Sequence, residues 1–295
     1  MQPLRHRNLV WLLRFARWQR LLPGALRRKI RPYLDQRAKA LPHPVILPYS
    51  DRQFIHCSPE SLLERTILLD GFYETELLPI FRTAVHPGSH CIDIGANIGC
   101  HTLVMADLCG SSGRVLAVEP SSSIRARLER NLALNLITHV SVVPCALSSN
   151  SGQTATLHIP AADQENQGAA SLFSAHLEGA TLTETVPLRT LDEVVKEAGW
   201  ARCDFIKMDV EGSELSVLKG ATRILKDYRP TLVFEYNPDA WKAAGASWTE
   251  CVALLSRFGY TPFVAFEDYL LAADDKTLCN PTNNVLAIPP LVRTE

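Results

Sequence analysis

The residues from Cys91 to Gly99 form the densest set of groups in this sequence that could bind a ligand. They read Cys-Ile-Asp-Ile-Gly-Ala-Asn-Ile-Gly, an apolar run that reaches Asp93 and then turns through two glycines. Glycine at positions 95 and 99 removes the Cβ atoms that would keep a ligand away from the backbone. A helix that begins near Asn97 would point its unpaired N–H groups at the same place. The pattern predicts a ligand-binding turn at the carboxyl end of a strand in an open α/β sheet.

The spacing around this turn favours a nucleoside with an amino-acid tail over a dinucleotide. A dinucleotide fingerprint is G-x-G-x-x-G, whereas this turn reads G-x-N-x-G with Asn97 at its middle. Asp93 could face an ammonium group. Glu119 ends the next apolar run, twenty residues after Gly99, where a carboxylate can accept both hydroxyls of a ribose. These features together indicate S-adenosylmethionine, and the alternative is an ordinary strand–helix turn without a ligand.

Three acidic residues follow two later apolar runs and could accept a proton. Asp209 and Glu211 come at the end of one predicted strand, and Glu235 ends the next. We expect the three to converge, because parallel strands end at the same sheet edge. Two residues apart in an extended strand, the carboxylates of Asp209 and Glu211 would point to the same side. A carboxylate whose pKa is raised by its neighbours can accept the proton of a hydroxyl group during methyl transfer.

Two other roles remain open for these acids. Glu211 could cap the following helix, with Gly212 and Ser213 as the turn. Alternatively, Asp209, Glu211 and Glu235 could bind a hard divalent cation that lowers the pKa of a hydroxyl. No neighbouring run of Asn or Asp supports a dedicated cage, so we predict direct base catalysis without a metal.

Two basic residues near these positions are expected to be structural. His101 follows Gly99 by two residues and is expected to be a buried, hydrogen-bonded helix residue. Lys207 is expected to point to the strand face opposite Asp209 and to pair with an acid inside the fold.

Alternating strands and helices from residue 90 onward must position these groups. The alternation predicts a mostly parallel sheet covered on both faces. Between residues 150 and 188 the rhythm breaks. The runs Thr154–Ile159 and Thr181–Leu188 predict an added hairpin or edge strands, and Gln164–Ala170 predicts a mobile loop. The predicted strands are 90–94, 114–119, 139–143, 203–208, 230–236, 260–266 and 283–288, and the predicted helices are about 98–108, 122–135, 190–198, 213–226 and 247–258.

The motifs on these elements together resemble the FkbM family of S-adenosylmethionine-dependent methyltransferases. They are Asp93–Gly99, Glu119-Pro120, Thr190-Leu191-Asp192, Ile206–Gly212 followed by Glu214 and Gly220, and Asn284-Val285-Leu286. The resemblance covers about residues 70–290. It implies a class I, Rossmann-like α/β fold with a seven-stranded, mostly parallel sheet whose last strand runs antiparallel. It also implies O-methylation of a hydroxyl on a sugar or glycan, or on a polyketide- or lipid-linked small molecule.

The same resemblance assigns residues to the cofactor. Ala146, after the third strand, would border the adenine. Tyr73 and Glu74, in Gly-Phe-Tyr-Glu, would approach the cofactor from the N-terminal side. The residues that would hold it are Asp93, Gly95, Asn97, Gly99 and Glu119.

Charge is distributed unevenly along the 295 residues. Residues 1–40 contain eleven Arg or Lys and one acid, whereas 41–295 contain nineteen basic and thirty acidic residues. Within the basic segment, Leu9–Leu22 is predicted to be a helix with Trp11, Phe15, Trp18 and Leu22 on one face. That segment could lie on an anionic membrane surface or pack on the rest of the protein. We predict a basic extension over 1–41, a helical cap segment over 42–88 that includes a helix from Glu74 to Val85, and a methyltransferase domain over 89–295.

Other classes of protein fit the sequence less well. Eight cysteines form no C-x-x-C pair, which predicts reduced thiols, no zinc site and a cytoplasmic location. Arg14 and Arg17 interrupt the one Leu/Trp-rich run, so we expect neither a membrane span nor a signal peptide. The acidic body argues against nucleic acid, and the missing G-x-G-x-x-G argues against a nicotinamide-dependent oxidoreductase. A non-catalytic, cofactor-binding subunit at a membrane remains the rival outside enzymology.

Overall fold

The computed structural model describes residues 24–41, 44–50, 52–160, 170–173, 181–265, 270–274, 278 and 282–290. The predicted helix at Leu9–Leu22 and most of the predicted loop at Gln164–Ala170 lie outside these residues. In the part of the chain that is described, no helix is long and apolar enough to cross a bilayer.

The strands and helices follow the predicted alternation from residue 90 onward. The strands are β1 Val45–Pro48, β2 Phe54–Cys57, β3 His90–Ile94, β4 Arg114–Val118, β5 Val140–Val143, β6 Ala146–Leu147, β7 Gln153–Pro160, β8 Thr181–Arg189, β9 Phe205–Met208, β10 Thr231–Tyr236, β11 Thr261–Ala265, β12 Leu270–Ala272 and β13 Asn283–Ile288. The α-helices are α1 Gly24–Lys39, α2 Leu62–Asp70, α3 Leu78–Ala84, α4 Cys100–Cys109, α5 Ser122–Leu134, α6 Leu191–Glu197, α7 Glu214–Lys219, α8 Pro238–Ala243 and α9 Trp248–Arg257.

The central sheet has eight strands in the order β12-β11-β13-β10-β9-β3-β4-β5. The strands from β10 to β5 in this order are parallel neighbours. β13 runs antiparallel between β10 and β11, which confirms the predicted antiparallel last strand. Seven of the eight are the predicted strands. The eighth, β12, adds three residues to the edge beside β11 and was not predicted.

The two faces of the sheet are covered by separate apolar cores. Successive residues along a strand alternate between them. Phe205 and Cys91 lie in one core with Leu103 of α4, whereas Ile206 and Ile92 lie in the other. This arrangement on both faces is the one expected of a doubly wound α/β sheet.

A small second sheet stands beside the central one. β7 and β8 pair antiparallel along their whole length, which confirms the predicted hairpin, and β6 pairs with the end of β8. Leu147 of β6 is the register partner of Arg189 in β8, so the two ends of this insert lie side by side.

Two predicted helices are interrupted in the structure. The helix predicted from Glu74 to Val85 is a 3-10 turn at Thr75–Leu77 followed by α3. The helix predicted over 213–226 is α7 followed by a π-helical turn at Ile224–Tyr228. Asp192 is the reason for the second break, because its carboxylate accepts the backbone N–H groups at the start of that turn.

Candidate functional site

The turn after β3 forms the floor of a cleft at the carboxyl edge of the sheet. Gly95 has φ +76° and Gly99 has φ +94°, and Asn97 between them has φ +52°. A Cβ atom on Gly95 would lie 1.8 Å from the carbonyl oxygen of Asp209, so only glycine fits there. The turn after β3 and the chain after β9 are therefore in direct backbone contact.

Glu119 follows β4 and lies in the wall of this cleft. Its Oε2 accepts the N–H of Asn97 at 3.0 Å, and its Oε1 accepts the N–H of Ser121 at 2.9 Å. Burial raises the pKa of Glu119 to about 7, against the effect of these two hydrogen bonds. Because each carboxylate oxygen can accept a second hydrogen bond, Glu119 can also bind the diol of a ribose.

The cleft encloses about 620 Å³, part of it open to solvent, and fits the roughly 300–1,000 Å³ of small-molecule sites. Ala146 lies in its wall beside Cys145 and Leu147, where the three give an apolar surface for a planar ring. Leu157 of the β7–β8 hairpin closes another side. The cleft therefore has one apolar end and one polar end.

Residues 170–173 connect the hairpin to the polar end of the cleft. Ser171 exchanges two backbone hydrogen bonds with His158 of β7, at 2.8 and 3.0 Å. Its hydroxyl also donates to the carbonyl oxygen of Glu211 at 3.0 Å. No pattern in the sequence predicted this link.

The structure places Asp93 beneath the turn and not in the cleft wall. Asp93 is fully buried, and its Oδ2 accepts the hydroxyl of Thr102 at 2.5 Å. Its Oδ1 has no hydrogen-bond partner among the described residues, and burial raises the pKa of this carboxyl. Its register partner in β9 is Lys207. This position disfavours the direct contact between Asp93 and an ammonium group that the sequence predicted.

Lys207 is the buried cation of the site. Its Nζ lies 3.2 Å from Oδ2 of Asp209. The prediction that it points away from Asp209 is wrong, because residues two apart in a strand share a face. Burial opposes its charge, but Asp209, Glu74 and Asp93 together raise the pKa of Lys207 above its ordinary value. Lys207 is therefore charged and forms an ion pair with Asp209.

Glu211 lies in a tight turn and not in an extended strand. It has φ +51° and Gly212 has φ +102°, so the predicted common strand of Asp209 and Glu211 is wrong. Glu214 stabilises this turn, because its carboxylate accepts the N–H of Val210 at 2.9 Å and that of Gly212 at 3.1 Å. The N-cap residue of α7 is Ser213 and not Glu211, and Glu214 stabilises the turn that precedes the helix.

Glu211 nevertheless lines the cleft together with Asp209. Burial and the nearby carboxylate of Asp209 raise the pKa of Glu211 to about 8. Glu235, near the end of β10, is outside the cleft wall, and burial together with Asp209 and Glu211 raises its pKa to about 10. The structure thus brings the three predicted acids close enough to influence one another.

Tyr73 and Glu74 lie on the Glu235 side of this acid cluster and not in the cleft wall. Glu74 has φ +53°, and its Oε1 accepts the side-chain amide of Asn284 at 3.3 Å. Burial raises the pKa of the Tyr73 hydroxyl, as do Asp209, Glu74 and Glu235. The structure therefore joins these two residues to the candidate catalytic acids.

His101 is buried in α4 and faces Glu74. Its Nε2 lies 3.3 Å from Oε2 of Glu74, without hydrogen-bond geometry between them. Burial lowers the pKa of His101 well below its ordinary value and raises that of Glu74 to about 7. The contact is therefore one between a neutral imidazole and a carboxyl group that titrates near neutrality, and not an ion pair.

No group of three His, Cys, Asp or Glu side chains in the described ranges is arranged to hold a metal ion. Within the same ranges, seven cysteines are buried and form no disulfide. Sequence reasoning missed the role of Glu214 in the turn and the Glu74–His101 contact. It predicted that Lys207 pairs with an acid inside the fold but not that this acid is Asp209. The i, i+2 spacing in Lys-Met-Asp is the signal that could have revealed the pair.

Comparison with known proteins places this cleft within a recognised domain. The sequence profile of the FkbM methyltransferase domain matches residues 93–262, which is more than half of the chain. A methyltransferase of Sordaria araneosa, sdnD, is 31% identical over 157 residues. The hexuronic acid methyltransferase AglP of Haloferax volcanii is 32% identical over 143 residues.

These alignments cover only part of each protein. They take in 44% of this chain and 59% of sdnD, and 48% of this chain and 53% of AglP. The chain thus spans less than two thirds of either relative. Among solved structures, a methyltransferase FkbM of Methylobacillus flagellatus superposes with a TM-score of 0.40 at 18% identity, covering 76% of this chain and 52% of that one.

Proposed function

Because this chain belongs to the FkbM methyltransferase family, whose methyl donor is S-adenosylmethionine, we propose that it methylates a hydroxyl group of a glycan or small molecule. The observation that carries this proposal is the single cleft that joins Glu119 at one side to Asp209 and Glu211 at the other. One side suits a nucleoside, and the other suits an acceptor hydroxyl that must lose a proton. The name of the relative AglP, a hexuronic acid methyltransferase, supports a sugar as one acceptor class.

The cleft residues fit the cofactor. When bound, S-adenosylmethionine supplies an electrophilic methyl group carried by a sulfonium. Glu119 accepts the ribose hydroxyls with the free lone pairs of its two oxygens. Ala146 borders the adenine, and Gly95 and Gly99 let the backbone approach the amino-acid tail. Asp93 acts from below, by holding Thr102 in the first turn of α4.

Among the acids, Glu211 is the proposed general base. It faces the cleft, and its pKa of about 8 is close to the pH at which a general base is most effective. Asp209 is held by Lys207 and supplies the negative charge that raises the pKa of Glu211. Glu235, on β10, keeps its proton near neutral pH, because burial and the charges of Asp209 and Glu211 raise its pKa to about 10. The residues thus hold the acceptor hydroxyl beside a carboxylate that can take its proton.

The cofactor assignment is tested by replacing Glu119. Losing a charge-assisted hydrogen bond costs about 1.5–3 kcal/mol, so Glu119→Ala should weaken S-adenosylhomocysteine binding by about 10- to 150-fold. Isothermal calorimetry measures this affinity directly. Glu129→Ala, on the exposed face of α5, is the matched control and should bind like the wild type. Unchanged affinity in Glu119→Ala would reject the ribose assignment.

The base assignment is tested with labelled cofactor and a panel of hydroxylated acceptors. Glu211→Gln keeps the shape of the side chain, and turnover should fall by about 10²- to 10⁴-fold. Affinity for S-adenosylhomocysteine should stay within about threefold, because the substitution removes only a proton acceptor. A wild-type rate would exclude Glu211 as the base. Loss of wild-type activity with chelator, restored by Mg²⁺, would assign the acids to a metal.

The alternative function, a non-catalytic subunit that binds the cofactor, predicts a different result. Such a protein should bind S-adenosylmethionine normally but methylate no acceptor in the panel. A membrane contact is compatible with either function, because the described helix α1 exposes Arg28 and Lys29 together with Leu26 and Tyr33. We propose that this face lies on an anionic membrane surface.

A further inference from the structure

Building on the proposed function, we propose that the acid cluster makes this site prefer the positively charged donor over its neutral-sulfur product. Binding of S-adenosylmethionine would then release protons that binding of S-adenosylhomocysteine does not. Glu211 and Glu235 are the residues that determine this charge selectivity.

The described wall of the cleft carries only negative side-chain charges. Glu119, Asp209 and Glu211 line it, and no Lys or Arg does. The sequence from Asn131 to Leu188, which supplies β5 to β7 and all of β8 except Arg189, contains neither Lys nor Arg. A cation in this cleft would meet carboxyl groups from several elements.

The acids behind this wall outnumber their one buried cation. Lys207 pairs with Asp209 at 3.2 Å and leaves Glu211 and Glu235 without a basic partner of their own in the described hydrogen bonds and ion pairs. The excess of acids over basic residues therefore favours an added positive charge in the cleft.

Because the acids outnumber the basic residues, the carboxyl groups of the cluster hold protons near neutral pH when no ligand is bound. Burial and mutual repulsion raise the pKa of Glu211 to about 8 and that of Glu235 to about 10. Glu74, next to His101, titrates at about 7. A nearby positive charge favours the ionised form of a carboxyl group, so these protons leave to solvent as the sulfonium binds. The groups that face Glu211 and Glu235 are Asp209, Glu214, Lys207, Glu74 and the hydroxyl of Tyr73.

The sign of the pH dependence follows. At low pH the carboxyl groups are neutral, so the sulfonium of S-adenosylmethionine gains little affinity over the neutral sulfur of S-adenosylhomocysteine. As the pH rises they ionise more readily, and the donor gains affinity. The α-amino and carboxylate groups are shared by the two ligands, so their titration cancels in the ratio of the two dissociation constants.

Isothermal calorimetry with both ligands tests this inference on the full chain. The ratio of the Kd of S-adenosylhomocysteine to that of S-adenosylmethionine should rise by about tenfold between pH 6 and pH 8.5, because the slope counts the extra protons released. Comparing titrations in phosphate and in Tris gives the number of protons released on binding. S-adenosylmethionine should release about half a proton or more beyond the number released by S-adenosylhomocysteine. Sinefungin, which carries an ammonium group in place of the sulfonium, should behave like the donor.

Variants then locate the effect. Glu211→Gln and Glu235→Gln should each lower the ratio and the proton count, whereas Glu129→Gln on the exposed face of α5 should change neither. If a variant does not fold, the wild-type proton count still decides. Equal affinities and equal proton counts for the two ligands would overturn the inference and leave the proposed function intact. Binding of neither ligand would instead refute the proposed cofactor site.

Discussion

The carbonyl oxygen of Asp209 occupies the space where a side chain at position 95 would begin. The ligand-binding turn and the acid-bearing loop after β9 therefore fix each other's position through backbone alone. Any substitution at Gly95 moves both halves of the site together, although the residue itself carries no chemistry.

Gly95→Ala should destabilise the protein by about 2–4 kcal/mol, because it adds a backbone clash to the cost of a left-handed conformation. Gly152→Ala is the matched control, since Gly152 has φ +83° and open space around its Cβ position. The control should lose only about 1 kcal/mol and keep its affinity for S-adenosylhomocysteine. Urea unfolding and calorimetry measure both quantities. Similar losses in the two variants would contradict the contact with Asp209.

For single residues, the sequence predicts which side chains meet at the site, but not how each one is buried or hydrogen-bonded. Spacing along strands was enough to bring Glu119, Glu211 and Glu235 to one sheet edge. It could not predict that Asp93 lies under the turn, because burial depends on how α4 packs. Nor could it predict that Glu214 bonds the N–H groups of Val210 and Gly212, because that depends on the left-handed turn at Glu211.

Helix α5 connects the ligand-binding turn to strand β2. Asn131 is fully buried, accepts the N–H of His56 at 2.8 Å and donates to the carbonyl oxygen of Ile98 at 2.8 Å. One side chain thus satisfies two backbone groups from elements far apart in sequence. The position of the turn depends on this helix.

Asn131→Ala should lower the free energy of unfolding by about 2–4 kcal/mol, because two buried backbone groups lose their partners. Asn135→Ala is the comparison one helical turn later. Asn135 bonds both backbone groups of Phe54, which are exposed and can turn to water, so its loss should cost about 1 kcal/mol or less. Chemical denaturation of the two variants gives the difference. An equal cost would show that Asn131 does not link these elements.

The sequence predicted long elements better than short ones. All seven strands of the periodic region are present, because buried parallel strands have a strong apolar signal. β1 and β12, with four and three residues, are too short for alternation to be visible. The 3-10 turn before α3 begins at a left-handed Glu74, which helical periodicity cannot reveal.

The whole molecule should lose stability as the pH rises above neutrality. A carboxyl group whose pKa is higher in the folded than in the unfolded chain binds more protons when folded. Its contribution therefore declines from about pH 4.5 up to the folded-state pKa. His101 acts in the opposite direction, since its lowered pKa reduces stability only at acid pH. The raised groups are Glu74, Glu119 and Glu214 at about 7, Glu211 at about 8 and Glu235 at about 10.

The melting temperature of the ligand-free protein should thus fall steadily from pH 6 to pH 9. Glu235→Gln removes the group with the highest pKa and should flatten this decline, whereas Glu129→Gln should not. Scanning fluorimetry in a series of buffers measures the slope. A melting temperature that rises over this range would show that the acids are not protonated in the folded state.

Helix α1 has features of both roles considered for the basic N-terminus, which are packing on the protein and contact with an anionic membrane. Leu34 and Ala38 are fully buried in the core, and Arg31 pairs with Asp70 of α2 at 2.5 Å. The opposite face is exposed. This described part of the basic segment therefore docks on the protein and still presents positive charge to its surroundings.

If this face binds an anionic membrane, the intact protein should sediment with phosphatidylserine vesicles at low salt and be released at high salt. Each basic residue near such a surface contributes about 1 kcal/mol, so the double variant Arg28→Glu, Lys29→Glu should bind at least about tenfold less. Arg130→Glu, an exposed charge reversal on α5, should bind like the wild type. Sedimentation independent of salt, or equal binding by the double variant, would refute the membrane contact.

The segment between β6 and the end of β8 leaves the rest of the chain and returns to it at neighbouring positions. Because Leu147 and Arg189 are register partners, the segment between them leaves and returns across the width of one strand pair, about 4.8 Å. A segment with adjacent ends can change in length or be exchanged for another without moving the strands that carry the acids. We therefore expect this segment to tolerate replacement where the contact between Ser171 and Glu211 is kept. Because Leu157, Ala170 and Leu172 line the cleft, transplanting the segment between relatives should change the shape of the cleft.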